Sequence, residues 1–503
     1  MTVKKNFASS SQQPAPVKTV KIPGGMSDVA VFLGLKPEDT IWDYNVMCPL
    51  DSGLALPDRT LGVAHQGITT LVRDGANGLT LKMPEGLLDY QQRYVDIGSI
   101  IEATKTLPPE KNYAYPRDAM HLALTRNEVP DLDHAQFKGK TFISPFPTPD
   151  VQAAVAKLGG KTLISAEQNV YFNSKARVFR DAANSDYKVA PFIVAPNVAA
   201  INNAFTKLKD HLTLNHPALD VDNSKYWFKF DSLAGGTGVT AFKPEQHSMD
   251  SIIDWAQDVV ASCEKTSQPF GRWTPPSAKN GTGPDSMPVL IDLDVGALPN
   301  VKKILTNANV QAVCGKGGVY LTGVTYQNTS EDGTYIGGIL SRTVEDKHYA
   351  VSAQAFATPV LEAAWRGGYR GYAGVDVLLC EADNKKETAY ILEMNGRINS
   401  STSLLSLAHW MERESGISDP AAKNLSASFN KFADYKTFEA AFDDLLFRKE
   451  ESAWTGIVPI IVKSDNDGTG IQAVKTIALA PDYDKLDELE RNFLERVAQF
   501  QPQ

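Results

Sequence analysis

The chain has 503 residues, 43% of them apolar and 22% charged, which is the balance of a soluble globular enzyme with about three or four structural units. A formal net charge of −9 argues against a nucleic-acid partner. Cys48, Cys263, Cys314 and Cys380 lie far apart with no CxxC spacing; they read as free thiols in a reducing compartment and suggest neither a disulfide framework nor a zinc site.

The first 22 residues carry Lys4, Lys5, Lys18 and Lys21 among Ser, Gln and Pro, with no apolar core after them. They read as a disordered tail and not as a signal peptide. No apolar run reaches the length of a membrane span, so no membrane partner is expected and cytoplasm is the expected location. Residues 23–140 are the least informative. Val29–Leu33 and Thr40–Tyr44 read as strands, and Gly67–Arg73 and Gly78–Leu81 surround a Gly-Ala-Asn-Gly turn. Arg93, Tyr94, Tyr113, Tyr115 and Arg117 either line a pocket or are scattered surface side chains.

From Lys140 the pattern sharpens. Thr141–Ile143 is a strand, Thr148-Pro149-Asp150 opens a helix that Gly159-Gly160 ends, and Thr162–Ile164 is the next strand. This alternation predicts parallel sheet. Asn173-Ser174-Lys175 starts another helix, with Phe179 and Ala182 on one face. A cation in a first helical turn is electrostatically misplaced unless an anion such as phosphate binds there. The other reading of Lys175 is a solvated surface residue.

Val198, Ile201, Phe205, Leu208 and Leu212 have helical spacing. The aromatic strand Tyr226–Phe230 follows, carries Lys229, and runs into Asp231 and the loop Gly235, Gly236, Thr237, Gly238. Glycines let backbone N–H groups close over phosphates, and a strand lysine adds a point charge. No Gly-Lys-Ser/Thr follows, so this is not a Walker A loop. Residues 248–262 are helical, 266–287 are a Pro- and Gly-rich loop, and 287–293 form a buried strand ending near Asp292 and Asp294. Residues 310–313 and 319–324 form a hairpin, and the polar 329–341 stretch reads as a loop beside Arg342 and His348. His348 is either a base or a structural histidine. Thr358–Arg366 is a helix.

The most informative stretch is 371–403. The apolar runs Val375–Cys380 and Ala389–Met394 flank a polar turn, which is a hairpin pattern, and each run carries one acid, Asp376 and Glu393. Carboxylates are costly inside apolar strands. Asp376, Glu393 and the Asn395 amide together make a hard donor set suited to magnesium, and Arg397 is placed to hold a phosphate or carboxylate. The alternative is a core hairpin with salt-bridged acids. Beyond it, residues 404–415 look helical, Val458–Val462 and Ala473–Leu479 are strands, and Leu486, Leu489, Phe493 and Val497 mark a last amphipathic helix. This tail either completes the preceding sheet or forms a small extra domain.

The acid in one strand, Asp376, followed by Glu393, Asn395 and Arg397 at the end of the next, with the lysine-and-glycine element at 229–238 upstream, resembles the ATP-grasp superfamily over roughly residues 140–410. The resemblance implies a mixed α/β (α+β) fold. It divides the chain into a tail at 1–22, an N-terminal α/β pre-ATP-grasp domain at 23–170, an ATP-grasp domain at 171–410 with its lid at about 195–290, and a C-terminal extension at 411–503. It implies ATP with magnesium, manganese being an acceptable substitute. Lys175, Lys229 and Gly235, Gly236, Thr237 and Gly238 would meet the phosphates, and Asp292 or Asp294 the ribose. Asp376, Glu393 and Asn395 would hold the metal, with Arg397 and Lys229 as catalytic cations. The implied activity is ligation of a small-molecule acid to an amine, with a peptide or amino-acid ligase preferred and a homodimer admissible. A kinase of the same fold and a non-catalytic nucleotide-binding module are the alternatives.

Overall fold

A computed structural model describes residues 15–43, 71–80, 86–102, 134–144, 147, 149–231, 238–265, 287–329, 335–340, 344–449, 453–464 and 471–500. Strand β1 (Val17–Thr19) pairs in parallel with a strand of the largest sheet, and Ile22 is wholly buried. Residues 15–22 are therefore part of the fold, which corrects their reading as tail.

The N-terminal sheet contains β2 (Thr40–Asp43), β3 (Asn77–Thr80), β4 (Ser99–Glu102), β5 (Thr141–Ile143) and β6 (Lys161–Thr162), all parallel, in the order β4-β3-β2-β5-β6. The apolar run at 29–33, expected as a strand, belongs to the helix Met26–Phe32. Met26, Val29 and Ala30 are its buried apolar side chains, at the i, i+3, i+4 spacing of one helical face. Gly25 precedes it at φ 58, and a Cβ there would collide with the Leu71 carbonyl oxygen.

A second sheet is antiparallel: β7 (Phe192–Ala195), β8 (Tyr226–Phe230), β9 (Val239–Phe242) and β10 (Val289–Leu293), in the order β7-β10-β8-β9. Tyr226, Phe228, Phe230, Val289, Ile291 and Leu293 bury one face against the helices Ile201–Asn215 and Met249–Lys265. Alternation along the strands leaves Trp227, Lys229 and Asp292 on the other face.

The largest sheet holds β11 (Val301–Gly315), β12 (Gly318–Thr329), β13 (Tyr335–Ile339), β14 (Gly371–Ala382), β15 (Glu387–Asn395), β16 (Ala421–Phe432), β17 (Gly456–Ser464) and β18 (Ile471–Ala480). Its order is β15-β14-β11-β12-β13-β16-β18-β17, with β1 attached to β12. The C-terminal strands thus continue this sheet. The helix Val344–Arg366 covers its apolar face: Ala353, Ala357, Leu361 and Ala364 pack with Val310, Ala312, Val375 and Val377. The helix Ser400–Ser415 lies nearby, with Ser401, Thr402 and Ser403 buried in its first turn. Among the described residues no helix is long and apolar enough to cross a membrane.

Candidate active site

The site forms where β15 breaks its alternation. Val377 pairs with Ile391, and both face the core; Asp376 pairs with Glu393, so Leu392 is an extra residue in the ladder. In a regular strand Glu393 would share the core-facing side of Ile391. The bulge turns it to the opposite face, beside Asp376, and returns Met394 to the core next to Val375. Asn395, two residues on, shares the face of Glu393.

Asn395 ties the two acids together: its Nδ2 donates to Glu393 Oε1 at 2.9 Å and to Asp376 Oδ2 at 3.4 Å. Burial, then the charge of Glu393, pushes the Asp376 carboxyl up to about 8. Burial also works against the ionised form of Glu393, but the Lys175 and Arg397 charges and the Asn395 hydrogen bond outweigh it and hold that carboxyl low. Lys175 Nζ lies 3.2 Å from Glu393 Oε2, and the lysine side chain is only 9% exposed, which removes the solvated-surface reading. Arg397 Nη1 donates to Asn173 Oδ1 at 2.8 Å.

The helix Lys175–Ala182 starts at Ser174, whose hydroxyl accepts from Arg177 N at 3.1 Å. The anion at this helix start is the carboxylate of Asp231, which accepts from Ser174 Oγ and Ala176 N. In the second sheet, Lys229 Nζ donates to Asp292 Oδ2 at 2.9 Å. Asp292 is 2% exposed, and burial raises its carboxyl pKa against the pull of Lys229. Asp294 instead accepts from Trp227 Nε1 at 2.7 Å and from Gly296 N at 2.9 Å. A cleft of about 430 Å³ opens beside it, lined by Asp220, Asn223, Lys225 and Gly296; its lining does not reach Asp376 or Glu393. Gly238, at φ 77, accepts from Phe230 N at 2.8 Å and closes the β8–β9 hairpin. Gly235, Gly236 and Thr237 lie outside the described residues, as do Arg342, Tyr113, Tyr115 and Arg117. His348 is exposed and bonds Glu387 at 2.7 Å, and Arg93 lies over the ring of Tyr94.

Among solved structures, the biotin carboxylase domain of Hydrogenobacter thermophilus 2-oxoglutarate carboxylase matches with a TM-score of 0.50 at 11% identity, over 91% of this chain and 89% of that one. That domain is a dimer in complex with MgADP, ADP and bicarbonate. This chain has the ATP-grasp fold. Biotin carboxylase from Campylobacter jejuni has a TM-score of 0.49 at 11% identity, covering 89% of each chain. L-amino acid ligase from Bacillus licheniformis has a TM-score of 0.48 at 10% identity, over 91% of this chain and 97% of that one. No protein-family model and no curated protein sequence matches the chain.

Within this ATP-grasp fold, sequence reading missed Asn309 and Gln327, whose amides bond Asp376, and Gln311, whose amide bonds Asn309 behind it. A signal was present: Asn307, Asn309 and Gln311 alternate with Ala308, Val310 and Ala312, so one face of a buried strand is made of amides. Among the described residues no group of three or more His, Cys, Asp or Glu is placed to hold a metal ion; the donor set at Asp376 is two carboxylates and an amide.

Proposed function

We propose that the protein is an ATP-dependent ligase that activates a substrate carboxylate as an acyl phosphate and joins it to an amine, forming an amide or peptide bond. One observation carries this reading: Asp376 and Glu393 are turned face to face by the Leu392 bulge, with Asn395 on both and Lys175 alongside. Two facing carboxylates, Asp376 buried and Glu393 half-buried, hold each other's ionisation apart, and a divalent cation relieves that conflict. Hard oxygen donors, few in number, fit magnesium, which completes its shell with water and phosphate. Asp376, Glu393 and Asn395 would hold the ion, and bound there it would neutralise charge on the nucleotide phosphates.

The remaining roles belong to the chain's own groups. Lys175, Lys229 and the 235–238 loop would bind the phosphates. Asp294 is the better ribose partner of the two acids, since Asp292 is committed to Lys229 inside the sheet. A substrate carboxylate oxygen attacks the γ-phosphorus and ADP leaves. The amine nitrogen then attacks the acyl carbon, phosphate leaves, and the nitrogen loses a proton. Catalysis of such transfer is mainly positioning and charge stabilisation, which Lys229 and Arg397 supply. The MgADP and bicarbonate of the Hydrogenobacter domain support a nucleotide and a small oxyanion in this fold, and a homodimer is proposed on the same likeness.

The test is a screen of acids and amines for phosphate release, with mass spectrometry of the product. With ATP, the correct acid and hydroxylamine, a hydroxamate is expected. Accumulation of a stable phosphate ester instead would replace the ligase reading with a kinase.

A further inference from the structure

Asp376 is held by two chains of side-chain amides. In the first, Thr402 Oγ1 donates to Gln311 Oε1 at 2.8 Å, Gln311 Nε2 donates to Asn309 Oδ1, and Asn309 Nδ2 donates to Asp376 Oδ1. In the second, Asn307 Nδ2 donates to Gln327 Oε1 at 3.3 Å, and Gln327 Nε2 donates to the same Asp376 Oδ1 at 2.8 Å. The direction is set at the ends. Asp376 Oδ1 accepts from both terminal amides, so each presents nitrogen to it and keeps its oxygen for the partner behind, which must donate in turn. Thr402 anchors the first chain, because its own backbone N–H is capped by Asn399 at the start of the Ser400–Ser415 helix.

The cost of this arrangement shows in its burial. Asn309 and Gln311 are 2% and 0% exposed, so each unmade hydrogen bond would be expensive. It also requires Gly374, which pairs with Gln311 on one side and Asn395 on the other. A Cβ on Gly374 would lie 2.5 Å from Gln311 Nε2 and 2.6 Å from Asn399 Nδ2. The outcome at Asp376 is asymmetric. Oδ1 accepts two amide hydrogen bonds, whereas Oδ2 receives the long contact from Asn395.

We propose that Gln311, Asn309 and Gln327 are positioning residues for the metal site: they saturate one oxygen of Asp376 and leave the other, on the Glu393 side, to meet the cation. This inference rests on the magnesium reading given above. Groups behind a ligand that fix its orientation commonly change metal affinity about 10–100-fold when removed. Among the described residues Gln311 bonds neither Asp376 nor Glu393, and its side chain reaches Asp376 through Asn309.

The experiment is Mn2+ binding measured by electron paramagnetic resonance in the presence of ADP, with metal-free ADP affinity measured beside it. Gln311→Met, of similar volume but unable to donate, is expected to weaken Mn2+ about 10–100-fold with metal-free ADP affinity unchanged. Gln327→Met, on the other chain and only half-buried, is expected to do the same and serves if Gln311→Met does not fold. Unchanged Mn2+ affinity in a folded variant of either kind overturns the inference, as does an equal loss of metal-free ADP binding. Asp376→Asn separates the two levels. If it abolishes Mn2+ binding while the glutamine variants do nothing, the positioning inference alone fails. If Asp376→Asn leaves Mn2+ binding intact, the magnesium reading fails and takes the inference with it.

Discussion

The Asp231 carboxylate sits 2.9 Å from the hydroxyl of Ser174, joining the end of β8 to the start of the helix that carries Lys175. It also accepts from the Ala176 backbone N–H at 2.7 Å. A helix N-terminus favours an anion, and here the protein's own acid supplies it. The anion expected near Lys175 from its position is thus at least partly internal.

Asp231→Asn keeps the shape of the side chain and removes its charge. Charge-assisted hydrogen bonds contribute roughly 1.5–3 kcal/mol and neutral ones about 1, so a loss of about 1 kcal/mol is expected. Urea unfolding measures it, and hydrogen exchange should accelerate in the Lys175–Ala182 helix. Wild-type exchange in that helix would mean the contact has no energetic weight.

The pairing of Lys229 with Asp292 changes what a lysine substitution reports. Asp292 is buried, and its Oδ1 has no hydrogen-bond partner among the described residues, so Lys229 is the counter-charge that makes its burial tolerable. Lys229→Met leaves that carboxylate unpaired, which costs about 3–5 kcal/mol for a buried pair. Replacing both, as Lys229→Met with Asp292→Leu, is expected to recover most of the stability. Denaturant midpoints of the four proteins in this cycle check it, and a single Lys229→Met variant as stable as wild type would refute it. Loss of ATP binding should be judged in the double variant.

His409 sets an acid limit on stability. Its Nδ1 accepts from the Ile22 backbone N–H at 3.1 Å, and burial, followed by the charge of Lys21, holds the ring down at about 4 from an ordinary 6.5. Above pH 6.5 the ring is neutral in both folded and unfolded chains and contributes no pH dependence. Between 6.5 and 4 the unfolded chain takes up a proton that the folded one excludes, so stability falls as pH falls. At about 1.4 kcal/mol per pK unit the loss reaches at most about 3 kcal/mol. Melting temperatures across this range should slope less in His409→Gln, and an identical slope would remove His409 from the account.

The hairpin at 375–394 was legible because two apolar runs and a polar turn admit few other structures, and because an acid inside each run is costly unless it has a role. What brought the acids together was not legible. Strict alternation puts Glu393 on the side of Ile391, and only the Leu392 bulge reverses it. The run Val29–Leu33 was misread as a strand because five apolar residues carry no period, and the helix declares itself only through Met26 and Gly25 before them. The helix Val344–Arg366 was seen only from Thr358, since Pro359 lies in its interior and its upstream half exposes Val351. Asp231 drew no attention because a carboxylate after a strand is ordinary; its role depends on Ser174, 57 residues away in sequence.

Arg397 offers the test of the proposed reaction type. Its charge helps hold the Glu393 carboxyl low, and its Nη1 bonds Asn173 Oδ1 at 2.8 Å. Asn173 in turn donates to the Asn169 carbonyl oxygen at 2.9 Å, so the guanidinium is braced against the helix before Lys175. A carboxylate acceptor approaching an anionic phosphate needs a fixed cation there, whereas a neutral hydroxyl acceptor needs it less. Arg397→Ala should therefore lower kcat about 10²–10³-fold, the scale of losing one charge-stabilising group, with a small change in the KM for ATP. The competing account is that the arginine only braces Asn173. Asn173→Ala separates them: it breaks the same hydrogen bond but leaves the cation. A kcat in Asn173→Ala as low as in Arg397→Ala would sink the catalytic role. Partial recovery of Arg397→Ala by added guanidinium, with none in Asn173→Ala, would place the missing charge at the acceptor.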